Sequence, residues 1–216
     1  MENFPAILSG DEVCFEHDAH AYIDADGATQ RMSVTQAIKI AGLIDYTMVP
    51  IEVLAHAAAR GRLVHQGAAL LDRGVDLSEY EIPAVCEPYL DAYRKFCREM
   101  QFVPIPEWIE RPMIVDIFGH RVGMTPDAVG TINGVLTVLE RKATSAAHPS
   151  WAIQTAAYEC GLRAAGLQIR QRMAVQLLNT GNYRLFTHDN SGDSEIFSAA
   201  FRLAAWKLKH NLANLA

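Results

Sequence analysis

Two carboxylates and a lysine stand on either side of a turn signal in the middle of the chain. Asp127 precedes the dipeptide Asn133-Gly134, and Glu140 and Lys142 follow it. Asn-Gly favours a two-residue hairpin loop, and counting back from that loop along both strands places Asp127 opposite Glu140. Because side chains alternate between the faces of a strand, Glu140 and Lys142 share one face, and Asp127 joins them there.

This arrangement predicts a site that needs a cation or a proton. Opposed carboxylates repel each other, and the strand that leads to Glu140 is apolar on both faces, which is typical of a buried central strand. Bare ions would be costly there. Either one carboxylate is protonated, or a divalent cation binds between Asp127 and Glu140. With a cation, Lys142 could orient or deprotonate a water and offset charge on a phosphate.

A plainer interpretation of the same residues stays open at this point. Asp127 could lie at a strand end in solvent, and Glu140 could simply pair with Lys142. The register itself depends on an unbroken strand, and a bulge at Gly130 or Pro126 would shift the count by one residue. The spacing alone does not decide between a metal site and an ordinary ion pair.

The elements that must position these residues follow from capping and periodicity. Ser33 and Gln36 form the pattern of a capping box, which predicts a helix that ends near Ala41 because Gly42 follows. The predicted order is an α/β fold, a central mixed β-sheet flanked by helices. The other predicted helices cover 51–71, 84–100, 149–161 and 194–212; the predicted strands cover 113–117, 121–132, 135–143, 171–178 and 183–187, after a hairpin at 15–32.

Size and composition indicate a soluble globular protein. The 216 residues, half of them hydrophobic and a fifth charged, predict one domain over 1–216, with 1–45 as an N-terminal hairpin-helix appendage. No apolar run approaches the ~20 residues of a membrane span, and the N-terminus lacks the pattern of a signal peptide, so we expect a cytoplasmic protein without a membrane partner. None of the four cysteines forms a C-x-x-C pair, which argues against a zinc site.

The charge distribution is uneven along the chain. The net charge of −6 argues against a protein that coats DNA with a broad basic surface. Residues 76–140 are rich in acids, whereas 141–188 contain six basic residues against one acid, Glu159. A basic face beside an acidic site and an ordinary scatter of surface charge both fit this pattern.

Several motifs around the hairpin resemble those of the PD-(D/E)xK nuclease superfamily. Pro126-Asp127 and Glu140-Arg141-Lys142 match the signature that names the superfamily. Three further motifs resemble the RecB-like branch and occur in that branch's order. They are the Gly-x-x-x-His pattern at 61–65, the Gly-x-x-Pro-Asp pattern at 123–127 and the Gln-x-x-x-Tyr pattern at 154–158.

The early part of the chain adds to the resemblance. His20, Tyr22 and the stretch Ser33-Val34-Thr35 are similar to the N-termini of phage-type exonucleases of this branch, so the resemblance covers roughly residues 15–188. It implies a restriction-endonuclease-like core, in agreement with the mixed sheet that the periodicity predicts.

The resemblance implies a role for each matching residue. His65, Asp127 and Glu140 would be metal ligands, with the backbone carbonyl of Arg141 as another, and Asp127, Glu140 and Lys142 would be the catalytic residues. Oxygen ligands with one imidazole suit Mn²⁺ and tolerate Mg²⁺.

Four further residues are candidates for contact with DNA. Gln154 and Tyr158 lie four apart and share a helix face, and the resemblance implies that they contact the DNA strand or steady the site. Ser33 and Thr35 are explained by helix capping, but a phosphate contact at that helix start is also possible.

The function implied is a metal-dependent DNA exonuclease that hydrolyses phosphodiester bonds in phage or bacterial recombination or end-processing. DNA would be its partner, with a single-strand annealing protein and further copies of the chain as additional candidates. An iron–sulfur cluster is not expected, because no cysteine follows Cys160. The alternatives are a structure-specific endonuclease of the same fold and a non-catalytic DNA-binding subunit.

Overall fold

The computed structural model describes residues 14–16, 21–24 and 26–215, with side chains from Ala21 onwards. His20 and the first thirteen residues of the expected N-terminal appendage lie outside this part. The helices are α1 (Val34–Ala41), α2 (Ile51–Asp72), α3 (Glu87–Met100), α4 (Ser150–Ala164) and α5 (Asp193–Lys209). The strands are β1 (Cys14–Glu16), β2 (Ala21–Ile23), β3 (Gln30–Arg31), β4 (Val103–Ile109), β5 (Met113–Ile117), β6 (His120–Met124), β7 (Ala128–Ile132), β8 (Val135–Lys142), β9 (Gln171–Leu177) and β10 (Tyr183–His188).

A mixed five-stranded sheet forms the centre of the fold and confirms the predicted fold class. Its strand order is β10-β9-β8-β7-β4, in which only β8 and β9 run parallel. The two smaller sheets are β1-β2-β3 and β5-β6. Among the described residues, no helix is long and apolar enough to cross a membrane.

The sheet separates two hydrophobic cores, so its central strands are buried on both faces. One core lies between the sheet and the helices α2 and α3; the other lies between the sheet and α1, α4 and α5. In β8, Leu139 belongs to the first core and Val138 to the second. Because of this alternation, the next three residues of β8 also face the two cores in turn.

Helix α1 begins and ends as its sequence predicts. The Ser33 hydroxyl accepts a hydrogen bond from the backbone N–H of Gln36, and the Gln36 side chain accepts one from the backbone N–H of Ser33. Gly42 ends the helix in a left-handed conformation, with φ of 91°. A glycine adopts that conformation without steric cost, which is why the helix stops there.

Two differences from the predicted strands have one cause, the absence of an N–H group in proline. The stretch 121–132 forms two strands rather than one, because the chain leaves the β5-β6 sheet at Met124 and enters the central sheet only at Ala128, on either side of Pro126. Strand β4 was not predicted, because Pro104 and Pro106 break its pattern. Prolines are tolerated in it because β4 is an edge strand.

The N-terminal hairpin packs against the strand that leads to Asp127. The buried Tyr22 hydroxyl lies 2.7 Å from the hydroxyl of Thr125, and the Tyr22 ring occupies the place where a side chain at Gly123 would be. By contrast, a Cβ at Gly61 on α2 would meet open space, so close helix packing does not explain that glycine. The described part of residues 1–45 therefore supports the segment before Asp127.

These two glycines make a matched test of packing. We expect Gly123→Ala to lower the free energy of unfolding by about 1–3 kcal/mol, because the new methyl group overlaps the Tyr22 ring. Gly61→Ala should be neutral or stabilising by up to about 1 kcal/mol, because alanine favours a helix. Urea unfolding followed by circular dichroism measures both values, and equal effects of the two substitutions would contradict the packing described here.

Candidate metal centre

Strand β8 presents its last three side chains alternately to the two faces of the sheet. Glu140 and Lys142 face α4, where the Lys142 ammonium donates to Glu140 Oε1 at 2.7 Å. Arg141 faces α2 and α3, and its side chain is fully buried. The predicted common face of Glu140 and Lys142 is confirmed by this contact.

The hairpin register is confirmed up to the residue next to Asp127. Ile132 pairs with Val135, and the regular ladder continues through Gly130 to Ala128, which lies opposite Leu139. The β7-β8 ladder ends there, so the expected pairing of Asp127 with Glu140 is not part of it.

Asp127 lies one residue beyond the ladder and binds the backbone of β8 through its side chain. Its Oδ2 atom accepts a hydrogen bond from the backbone N–H of Arg141 at 2.5 Å. This bond holds the carboxylate at the end of the strand that carries Glu140 and Lys142. Asp127 is buried, so the interpretation that places it in solvent is wrong.

Three side chains from different elements converge beside Asp127. His65 comes from the middle of α2, Glu110 directly follows β4, and Asp127 directly precedes β7. One potential ligand atom of each lies within 4.8 Å of the other two. The Nδ1 atom of His65 is 3.1 Å from Asp127 Oδ1 and 3.8 Å from Glu110 Oε1. An imidazole and two carboxylates at these distances could hold a divalent metal ion.

Glu110 is the residue of this cluster that the sequence reasoning missed. It follows the proline-interrupted strand β4, and no motif spacing connects it to Asp127. Its backbone has a φ of 49° and its N–H donates to the carbonyl of Asp127 at 3.1 Å. A left-handed conformation is uncommon for residues other than glycine and is concentrated at functional sites, but sequence does not reveal it.

Glu140 belongs to a neighbouring hydrogen-bond network on α4. Gln154 donates to Glu140 Oε1 at 2.8 Å and to the Tyr158 hydroxyl at 2.9 Å, and its own oxygen accepts from Lys142 at 2.9 Å. The other carboxylate oxygen, Glu140 Oε2, is buried and has no hydrogen-bond partner among the described residues. A buried acceptor without a donor is costly, so this oxygen is suited to bind a cation or a proton.

The carboxylates of the two groups differ strongly in proton affinity. Burial, and then the negative charge of Asp127, raise the pKa of Glu140 to about 7. Burial acts in the same direction on Asp127, but His65, Arg141 and Lys142 outweigh it and lower the pKa of Asp127 to about 2. Burial alone would lower the pKa of His65, but Asp127 and Glu110 raise it to about 10.

The raised pKa values of His65 and Glu140 favour the protonated form of each group. Both responses reduce the repulsion between buried carboxylates, as a bound cation would. Of the two possibilities that the sequence left open, the raised pKa of Glu140 fits a protonated carboxylate, and the donor set of His65, Glu110 and Asp127 fits a divalent metal.

The candidate DNA contacts are engaged within the protein. Gln154 and Tyr158 are buried and bind each other, and Gln154 also binds Glu140 and Lys142, so their visible role is to steady the site. Ser33 is buried in its capping box, and its hydroxyl lies 3.2 Å from that of Thr35. Contact of these four side chains with DNA remains a prediction, as does a ligand role for the Arg141 carbonyl.

The basic excess in 141–188 is partly neutralised within the fold. Arg163 and Arg172 both pair with Glu159, and Arg172 also pairs with Asp193. Arg141 is buried in ion pairs as well. Lys142 pairs with Glu140, so four of the six basic residues are held in ion pairs within the protein, which favours scattered charge over one basic face.

A substitution at Glu110 tests the metal centre. We expect Glu110→Gln to weaken Mn²⁺ binding at least about tenfold, because it removes one of three clustered ligand groups. Electron paramagnetic resonance of unbound Mn²⁺ in a titration measures the affinity. Glu107→Gln is the matched control, since Glu107 is an exposed acid three residues earlier. Equal Mn²⁺ affinities of the two variants would contradict the assignment.

The raised pKa of His65 predicts how stability depends on pH without metal. Its value of about 10, against the usual 6.5, means that the folded state favours the protonated ring. The resulting stabilisation is complete below pH 6.5 and is lost as the pH rises through 10. We expect the free energy of unfolding in EDTA to fall across this window, and to fall less in His65→Gln than in the control His56→Gln, an exposed histidine on α2. Parallel curves for the two variants would contradict this explanation.

Comparisons with known proteins do not assign the chain to a family. No family model matches it, and no curated protein is significantly similar. Solved structures that are distantly similar in fold include the following two. The "putative exonuclease" from Eubacterium rectale is 14% identical with a TM-score of 0.47, and the match covers 72% of this chain and 69% of that one. The protein SSO0001 is 14% identical with a TM-score of 0.36, and the match covers 58% of this chain and 57% of that one.

Proposed function

We propose that the protein is a metal-dependent DNA nuclease that hydrolyses phosphodiester bonds. The observation that carries the proposal is the cluster of His65, Glu110 and Asp127 next to the pair formed by Glu140 and Lys142. A cation site beside a fixed ammonium group suits a substrate with a negatively charged phosphate. The ordered motifs that resemble the PD-(D/E)xK nucleases support the same reaction.

The residues present fit a divalent cation such as Mg²⁺ or Mn²⁺. His65, Glu110 and Asp127 would hold it, and the unpartnered oxygen of Glu140 is a further candidate ligand. When bound, the cation would supply Lewis-acid activation of a water and neutralise phosphate charge.

The chain's own residues would orient the reacting groups. Lys142 is fixed from two sides, by Glu140 at 2.7 Å and by Gln154 at 2.9 Å, and 18% of its side chain remains exposed. Its ammonium group can therefore donate a hydrogen bond to a phosphate oxygen and stabilise the charge that develops there. Gln154 would keep Glu140 and Lys142 at a constant separation during the reaction, because it binds both.

By resemblance, we infer exonuclease action on DNA ends in recombination or end-processing. Contacts to the phosphate backbone carry little sequence information, so weak sequence preference is expected. A single-strand annealing protein and further copies of the chain are partners consistent with that role.

Lys142 provides the direct test of this function. We expect the wild-type protein to degrade linear DNA with Mg²⁺ or Mn²⁺, and Lys142→Ala to reduce the rate about 100-fold or more, because the group that stabilises the phosphate charge is lost. Lys39→Ala, at an exposed lysine on α1, is the control and should cut like the wild type. The measurement is the release of nucleotides from end-labelled DNA.

The same experiment separates the alternatives. An exonuclease leaves closed circular DNA intact, whereas cleavage of the circle indicates an endonuclease. Equal rates for wild type and Lys142→Ala would contradict the proposed catalytic site. A wild-type protein that binds DNA, but neither binds Mn²⁺ nor cuts DNA, indicates a non-catalytic subunit.

A further inference from the structure

Arg141, the middle residue of Glu140-Arg141-Lys142, is a fully buried cation behind the metal centre. Its Nη1 atom lies 2.8 Å from Asp72 Oδ2, and its Nη2 atom lies 2.8 Å from Glu110 Oε1. The Nη2 atom also donates to the backbone carbonyl of Asp127 at 2.8 Å. The guanidinium is packed over the Tyr93 ring, 5.3 Å from its centre, and the Tyr93 hydroxyl donates to Asp72 at 2.7 Å.

These contacts connect the three segments that supply the metal cluster. Glu110 and Asp127 are contacted directly, and Asp72 is on α2, seven residues and thus about two turns after His65. A planar guanidinium can bind several acceptors at fixed angles, which a lysine ammonium cannot reproduce. The side chain reaches all three segments from the face of β8 opposite to Glu140 and Lys142.

We propose that Arg141 is a positioning residue that holds Glu110 and Asp127 in the geometry required for metal binding and anchors both to helix α2. The proposal rests on the metal centre of the proposed nuclease. It assigns no contact with the substrate to Arg141. Removal of a group that hydrogen-bonds to metal ligands and orients them commonly lowers metal affinity 10- to 100-fold.

The sign of the effect distinguishes positioning from simple electrostatics. Arg141 lies close to the carboxylates, so removal of its positive charge alone would make the centre more negative and tighten Mn²⁺ binding. Loss of positioning would instead weaken Mn²⁺ binding, because Glu110 and the segment of Asp127 lose the donor that holds them. The two explanations therefore predict opposite changes.

The experiment compares Arg141 with Lys39, an exposed cation on α1. Arg141→Met should weaken Mn²⁺ binding about tenfold or more. Lys39→Met also removes one positive charge and should bind Mn²⁺ as tightly as the wild type. Paramagnetic resonance titration measures the affinities, and circular dichroism establishes that each variant is folded. Wild-type or tighter Mn²⁺ binding by folded Arg141→Met would overturn the proposal.

Two further variants separate positioning from loss of stability. Tyr93→Phe removes the hydroxyl bound to Asp72 but leaves the direct contacts of Arg141, so it should lower stability without changing Mn²⁺ affinity. Arg141→Lys keeps the charge and should restore only part of the affinity, since one ammonium cannot reach all three acceptors. If Arg141→Met does not fold, wild-type Mn²⁺ affinity in Arg141→Lys overturns the proposal.

Failure of the positioning role of Arg141 can be distinguished from failure of the proposed nuclease function. Wild-type protein that binds Mn²⁺ but does not cut DNA contradicts the nuclease and leaves the comparison of Arg141→Met with Lys39→Met intact. Protein that cuts DNA while Arg141→Met keeps its Mn²⁺ affinity contradicts only the positioning role. Wild-type protein that does not bind Mn²⁺ contradicts both.

Discussion

Burial of several carboxylates at one end of β8 is the constraint on which the rest of the structure depends. Carboxylates are removed from water only when a cation, a proton or hydrogen-bond donors compensate them. Here one carboxylate comes from each of four places: helix α2, the end of β4, the segment before β7, and strand β8 itself. Cationic side chains lie between these carboxylates. The carboxylates are the buried side chains of Asp72, Asp127 and Glu140 and the partly exposed side chain of Glu110, and the cationic side chains are His65, Arg141 and Lys142.

Because side chains alternate along a β-strand, the charged residues of β8 lie on opposite faces of the sheet. Arg141 points toward α2 and α3 and is sealed from solvent, whereas Glu140 and Lys142 point toward α4 and keep a partly exposed ammonium group. The backbone N–H of Arg141 binds Asp127 at the junction of the two sides. One short segment of strand thus supplies both the buried scaffold of the centre and, in the proposed function, the groups that would contact a phosphate.

The break in the chain at Pro126 is part of the same arrangement. An unbroken strand would carry Asp127 into the ladder, where its side chain would lie in a regular pair. Because the chain enters β7 only at Ala128, Asp127 is free to bind His65 with one carboxylate oxygen and the β8 backbone with the other. Tyr22 of the N-terminal hairpin supports this irregular segment, because its hydroxyl contacts that of Thr125.

The sequence by itself determined the features that depend on neighbouring residues. The capping box of Ser33 and Gln36, the hairpin at Asn133-Gly134 and the common face of Glu140 and Lys142 all follow from local turn chemistry and a period of two. The ordered motifs also selected His65 and Asp127, which the fold brings within 3.1 Å of each other.

Only the tertiary structure decided that Glu110 completes the cluster and that Asp72 and Arg141 lie behind it. Asp72 comes from α2 and Arg141 from the buried face of β8. Glu110 follows the edge strand β4, which its prolines made unrecognisable in the sequence. Long-range contacts of this kind leave no fixed spacing in the sequence. Their geometry arises from how the helices and the sheet pack, and that packing is set by the whole hydrophobic core rather than by any local pattern.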